Sequence, residues 1–127
     1  MKGVKNNKFK ASFKCATRGL QYVIRNERNF RIELVVAIFI VFLSIIFGIK
    51  IWEFIIVVFL ITGVLVTELM NTVVERVVDI LEPRVHPFAR LIKDITAGVV
   101  LISALVSFLV GLLIFLPYIF NLLNFYF

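Results

Sequence analysis

Cysteine and histidine are nearly missing from this 127-residue chain, in which Cys15 and His86 each stand alone. A single cysteine makes no intramolecular disulfide and no multi-cysteine metal site, and one histidine makes no zinc site by itself. Also missing are the GxxxxGK[ST] phosphate loop, the GxGxxG fingerprint and the HExxH helix, so any nucleotide must be held by other means. Charge is scarce too, at 17% of residues against 61% hydrophobic, a balance outside the range of soluble proteins. No small-residue cleavage pattern follows the first apolar run, so the N-terminal segment is expected to be retained. The chain has no internal repeat and no low-complexity segment beyond its apolar runs.

Long apolar runs take up most of the chain. A spanning helix needs about 20 mostly apolar residues to cross roughly 30 Å of hydrocarbon, and three such runs leave no room for a second domain. An all-α integral membrane domain is therefore expected over 1–127, with crossings at 30–49, 52–81 and 88–120. The second should cross between Trp52 and Asn71 and run on into water before Pro83 and Pro87 break it. Gly48 closes the first crossing, Gly98 and Gly111 permit close helix contacts in the third, and Pro117 is placed to kink or end it. Ahead of these, over 8–26, Phe9, Phe13, Ala16, Leu20 and Val23 recur at helical spacing while Lys10, Lys14, Arg18 and Arg25 take other faces. That is the pattern of a basic amphipathic helix lying in the membrane interface, and a basic tail that only sets topology is the plainer reading of the same residues.

Of the fourteen Lys and Arg residues, nine lie at or before the start of the first crossing, one after it, four between the second and third, and none beyond Lys93. Thirteen thus fall on one side, which is expected to be cytoplasmic. Trp52, Tyr118, Phe120 and Tyr126 then meet the opposite interface, where aromatic anchors are favoured. The net charge of +6 flanks apolar spans, so topology and lipid attraction explain it better than nucleic acid does.

Glu68, Asn71, Glu75 and Asp79 occur at offsets of three, seven and eleven, which lie on one stripe of a helix. An acid in a spanning helix costs about 2.5–3.5 kcal/mol on insertion scales, so such residues usually face protein, water or an ion. Glu68 lies roughly 24 Å along the helix from Trp52, where head groups begin, and Glu75 about 10 Å further. Glu75 and Asp79 therefore reach water, where Mg²⁺ can bind between one or two carboxylates and nucleotide phosphates. Glu27, just before the first crossing, and Lys93 with Asp94, just before the third, meet the stripe at the same boundary.

The stretch Glu68-Leu-Met-Asn71-Thr72-Val-Val-Glu75-Arg-Val-Val-Asp79 resembles the signature E-x-x-N-[ST]-x-x-E-x-x-x-D of the prokaryotic diacylglycerol kinase and undecaprenol kinase family. Phe13-x-x-Ala16-x-x-Gly19, Glu27-Arg28-Asn29-Phe30-Arg31 and Lys93-Asp94, followed by Ala97 and Gly98, add to the likeness, which runs from about Phe9 to Pro117. The resemblance implies transfer of the γ-phosphoryl group of ATP to a lipid hydroxyl, at the cytoplasmic face of the bacterial plasma (inner) membrane, in a homotrimer with sites between subunits. It implies Glu68 as catalytic base and Glu27 with Glu75 as the Mg²⁺ carboxylates. It implies Asn71, Asp79, Lys93 and Asp94 as residues arranging nucleotide and reacting groups, and Arg84, Val85 and His86 as a loop touching the nucleotide. Arg28-Asn29-Phe30-Arg31 looks like the undecaprenol branch, whereas Glu33 stands where that branch often has His, so undecaprenol is the first expected acceptor and diacylglycerol the second.

Two other classes fit parts of the pattern. An ion or proton relay would use Glu68 and Glu75 as carriers, but the outer part of the second span offers only Glu53 and Thr62 as further polar groups. An assembly subunit would use the stripe, with Ala97, Gly98, Ser103, Ala104 and Gly111, only to pack helices.

Overall fold

The computed structural model describes residues 2–127 and consists of four helices, α1 (Lys2–Asn26), α2 (Arg28–Phe47), α3 (Ile51–Leu81) and α4 (Pro87–Tyr126). α2, α3 and α4 are each long and apolar enough to cross a membrane. α1 begins at Lys2 rather than Lys8, and none of its residues is buried, so Phe9, Phe13 and Leu20 stand exposed. α4 continues through Pro117 to Tyr126 instead of ending near Phe120. At 1.5 Å per residue its 40 residues reach about 60 Å, twice the hydrocarbon thickness.

The turns explain how the helices stay antiparallel. Gly48 takes a left-handed conformation (φ 59°), and its N–H and that of Ile49 donate to the Ile45 and Ser44 carbonyls at 3.2 and 3.3 Å, closing α2. Three residues on, the Glu53 carboxylate accepts the Lys50 backbone N–H at 3.0 Å and opens α3. The tyrosine hydroxyl of Tyr118 donates to the same Glu53 oxygen, so α4 is tied to this turn. At the other end, His86 caps α4, its Nδ1 accepting the Phe88 N–H at 3.2 Å, and Pro87 supplies the fixed φ favoured in a first turn.

The apolar core is small and lies in the half of the bundle nearer Trp52. Val57, Ile114 and Phe115 are buried, with Ile40, Leu43, Phe47 and Val110 packed around them. Most other large apolar side chains face outward, as expected of a chain whose solvent is lipid. Three hydroxyls within the spans are satisfied by their own helices: Ser44, Thr62 and Thr67 donate to the carbonyls of Ile40, Val58 and Val64. α3 and α4 meet where a Cβ on Gly63 would lie 3.9 Å from the Ser103 hydroxyl and where the Ser107 hydroxyl reaches the Leu60 carbonyl at 3.5 Å. Gly98 and Gly111 were expected to mark such approaches, yet a Cβ on either would meet nothing within 4 Å in this chain.

Candidate active site

At the end of the bundle carrying the α3–α4 connection, the core gives way to polar residues. Glu68, Asn71 and Thr72 on α3 are buried, with Glu68 only 4% exposed, and Phe30 near the start of α2 is buried too. Helical geometry brings Glu75 one turn beyond Asn71, whose side-chain amide donates to the Glu75 carboxylate at 3.4 Å. The Glu68 carboxylate lies in the fields of Glu75 and Glu27, and Glu33 of α2 lies in the field of Glu68.

Glu27 reaches this group because it is the single extended residue between α1 and α2 (φ −104°, ψ 109°). Its carboxylate makes no capping bond to α2 and accepts instead from the Arg76 guanidinium of α3 at 2.5 Å. Arg31 secures the same junction from the other side, donating to the carbonyls of Ile24 and Arg25 at 3.2 and 2.7 Å. Those carbonyls end α1 and would otherwise lack donors. Lys93 of α4 pairs with Asp79 of α3, which brings the third span to the stripe.

Two buried oxygens stand out, since Oδ1 of Asn71 and Oε2 of Glu33 have no hydrogen-bond partner. A buried acceptor without a donor is costly and rare, and it commonly marks a place where another group belongs. Glu33 also lines a cleft of about 480 Å³ between α2, α3 and α4, whose walls are otherwise almost wholly apolar, from Ile32 and Val36 to Leu65, Phe108 and Phe115. A carboxyl in the wall of an otherwise apolar cleft suits an amphipathic ligand with a polar head and a hydrocarbon tail. The donors and acceptors around Glu68 can accept a proton, hold a cation through two carboxylates and attract phosphate through Lys93.

The family model described as prokaryotic diacylglycerol kinase matches residues 14–115. The chain belongs to the prokaryotic diacylglycerol kinase family. It is a membrane protein and a lipid kinase, that is, a transferase of lipid metabolism. This lipid kinase is 39% identical over 111 residues to the undecaprenol kinase of Bacillus subtilis (strain 168), covering 87% of its own length and 90% of that protein. It is 30% identical over 107 residues to the diacylglycerol kinase of a Synechocystis species, covering 84% of itself and 61% of that protein.

Of the residues singled out from sequence, Glu27, Glu68, Asn71, Glu75, Asp79 and Lys93 of the kinase gather around one end of α3. Arg84, Val85 and His86 lie on the exposed connection between α3 and α4, where Val85 is almost wholly uncovered and His86 serves as the α4 cap. Asp94 is exposed beside Lys93, and among the described residues its side chain has no hydrogen-bond partner. Sequence reasoning gave no place in the site to Thr72, Glu33 or Arg76. Thr72 was visible inside the signature and Glu33 as an acid within the first span, but nothing local in the sequence points from Arg76 to Glu27. Among the described residues no three His, Cys, Asp or Glu side chains converge into a ready-made metal cage.

Proposed function

We propose that this chain transfers the γ-phosphoryl group of ATP to the hydroxyl of a membrane lipid alcohol, with undecaprenol as the first candidate acceptor and diacylglycerol the second. The observation that carries the reading is a buried carboxylate, Glu68, flanked by Glu27 and Glu75 and lying near Glu33, which lines the apolar cleft. Undecaprenol is favoured by the likeness to a relative named undecaprenol kinase, which this chain matches over nearly its whole length.

In this mechanism the lipid tail lies in the apolar cleft and its hydroxyl meets Glu68, which takes the proton as the oxygen attacks the γ-phosphorus. The bond from the γ-phosphorus to the oxygen bridging the β- and γ-phosphates breaks, and ADP leaves. Lys93 holds charge on the transferring group, Asp79 keeps Lys93 in place, and the unpartnered Asn71 oxygen faces the reacting groups. Arg84, Val85, His86 and Asp94 form the outer wall against the nucleotide. Glu27 and Glu75 would hold Mg²⁺, and the donor set fits, because Mg²⁺ binds through one or two carboxylates and takes its remaining ligands from water and phosphates. When bound, the cation neutralises charge on the phosphates. Phosphoryl transfer asks little covalent chemistry of a protein beyond such positioning.

The positive charge of the α1 and α3–α4 segments favours a cytoplasmic site, with α1 resting on anionic lipid through Phe9 and Phe13. A homotrimer with sites between subunits accords with the wide apolar surface left uncovered by the single chain and with the open sides of Gly98 and Gly111. The test is ATP-dependent phosphorylation of undecaprenol, shorter polyprenols and diacylglycerol by the purified protein in lipid, with and without Mg²⁺. Transfer to undecaprenol that needs Mg²⁺ is the expected result. Absence of transfer to every lipid overturns the reading in favour of an ion relay or an assembly role.

A further inference from the structure

Arg76 is the one cation of the site that the proposed mechanism leaves without a task. It follows Glu75 directly and sits one turn before Lys93's partner, Asp79. Its Nη2 lies 2.5 Å from Glu27 Oε1, a link between residues 49 apart in sequence. The two side chains differ in freedom: that of Glu27 is 18% exposed and that of Arg76 51%. Tyr22 of α1 and Asp79 of α3 are the other groups whose charge or dipole reaches the guanidinium. Glu27 therefore holds its place at the α1–α2 junction, while the half-exposed guanidinium can swing and, with one hydrogen bond to Glu27, has further N–H donors to offer.

Charge decides what that freedom is for. Glu27, Glu68, Glu75 and Asp79 gather at this end of α3, where Arg76 pairs with Glu27 and Lys93 with Asp79 while Glu68 and Glu75 have no ion-pair partner among the described residues. A divalent cation at Glu27 would compete with the guanidinium for one oxygen and repel it at short range. The phosphates that arrive with that cation are the nearest new anions, and a planar guanidinium grips phosphate oxygens in a bidentate way that an ammonium cannot. Building on the nucleotide reading of this site, we infer that Arg76 is a phosphate-binding residue that exchanges Glu27 for the nucleotide's phosphate oxygens when a divalent cation takes Glu27.

The exchange has a signature that a purely structural ion pair lacks, because two affinities move in opposite directions. Full-length protein in lipid nanodiscs is titrated with Mn²⁺ alone, followed by electron paramagnetic resonance, and separately with a non-hydrolysable ATP analogue at saturating Mg²⁺. In Arg76→Gln the competitor for Glu27 is gone, so Mn²⁺ alone should bind about two- to fivefold more tightly, the range of a partly exposed pair. The ATP analogue should bind roughly tenfold to a hundredfold more weakly, as for the loss of a charged hydrogen bond. Arg76→Lys, which keeps the charge and guards against a folding defect, should leave Mn²⁺ binding at the wild-type value and place the analogue between the other two proteins. Weaker or unchanged Mn²⁺ binding in Arg76→Gln overturns the exchange, and unchanged analogue binding overturns the phosphate contact. A wild-type protein that binds Mn²⁺ but no analogue overturns the kinase site itself and this role with it, a result distinct from either failure in the variant.

Discussion

At the Trp52 end of the bundle the Glu53 carboxylate is met by the Lys50 N–H and the Tyr118 hydroxyl, whereas at the basic end Glu33 and Asn71 each keep a buried oxygen without a donor. The first end also holds the packed core of Val57, Ile114 and Phe115, and the second holds the buried Glu68. The contrast separates two uses of a carboxylate in an apolar bundle. Glu53 joins α3 to the turn and to α4 through one oxygen, Oε2, which accepts from both donors, so it serves the fold. Glu68 is buried and Glu33 half-buried among like charges, with one Glu33 oxygen left without a donor, an arrangement that a fold alone would not favour and that a bound hydroxyl, cation or phosphate would relieve.

The comparison breaks most sharply at Glu68. Glu68→Gln keeps the shape of the side chain but removes the base, and lipid phosphorylation is expected to fall by about 10²- to 10⁴-fold while helix content and oligomeric state stay as in the wild type. Wild-type turnover in that variant would remove Glu68 from the chemistry. Next in size, Glu75→Gln should reduce turnover by roughly tenfold to a hundredfold and raise the Mg²⁺ concentration needed for half-maximal rate, as read from rates across an Mg²⁺ series. Glu33→Leu sharpens the comparison on the lipid side: relieving the orphaned oxygen should leave or improve thermal stability while raising the KM for the lipid more than that for ATP.

The smallest effects belong to the Trp52 end. Gly48→Ala should cost about 1 kcal/mol, because the left-handed backbone and not any side-chain clash opposes a Cβ there. Tyr118→Phe should lower the melting temperature in detergent with turnover per folded protein unchanged. If Tyr118→Phe instead abolished transfer in a fully folded sample, the two ends would not divide fold from function as argued.

Much of this architecture is legible in the sequence. Runs of apolar residues longer than any soluble helix tolerates announce the spans, and the lysines and arginines around them indicate which end is polar. Glu68, Asn71, Glu75 and Asp79 could be placed on one face because helical period is a local property of the chain. The helix ends were less legible: α4 passes through Pro117 and α1 starts at Lys2, since the local signals for stopping and starting compete with long apolar or helix-tolerant runs on both sides. Gly98 and Gly111 look alike in sequence to the contact-making Gly63, and only the rotation of α4 against α3 distinguishes them.

By itself, then, the order of residues determined three spans, a basic end and an acidic stripe, because each follows from hydropathy, charge count and spacing along one helix. Only the tertiary structure decided that Glu27 meets Arg76, that Lys93 meets Asp79 and that Glu33 looks into an apolar cleft beside Glu68. Those pairings join different helices, and their register and rotation depend on how whole faces pack, a property that no stretch of neighbouring residues carries.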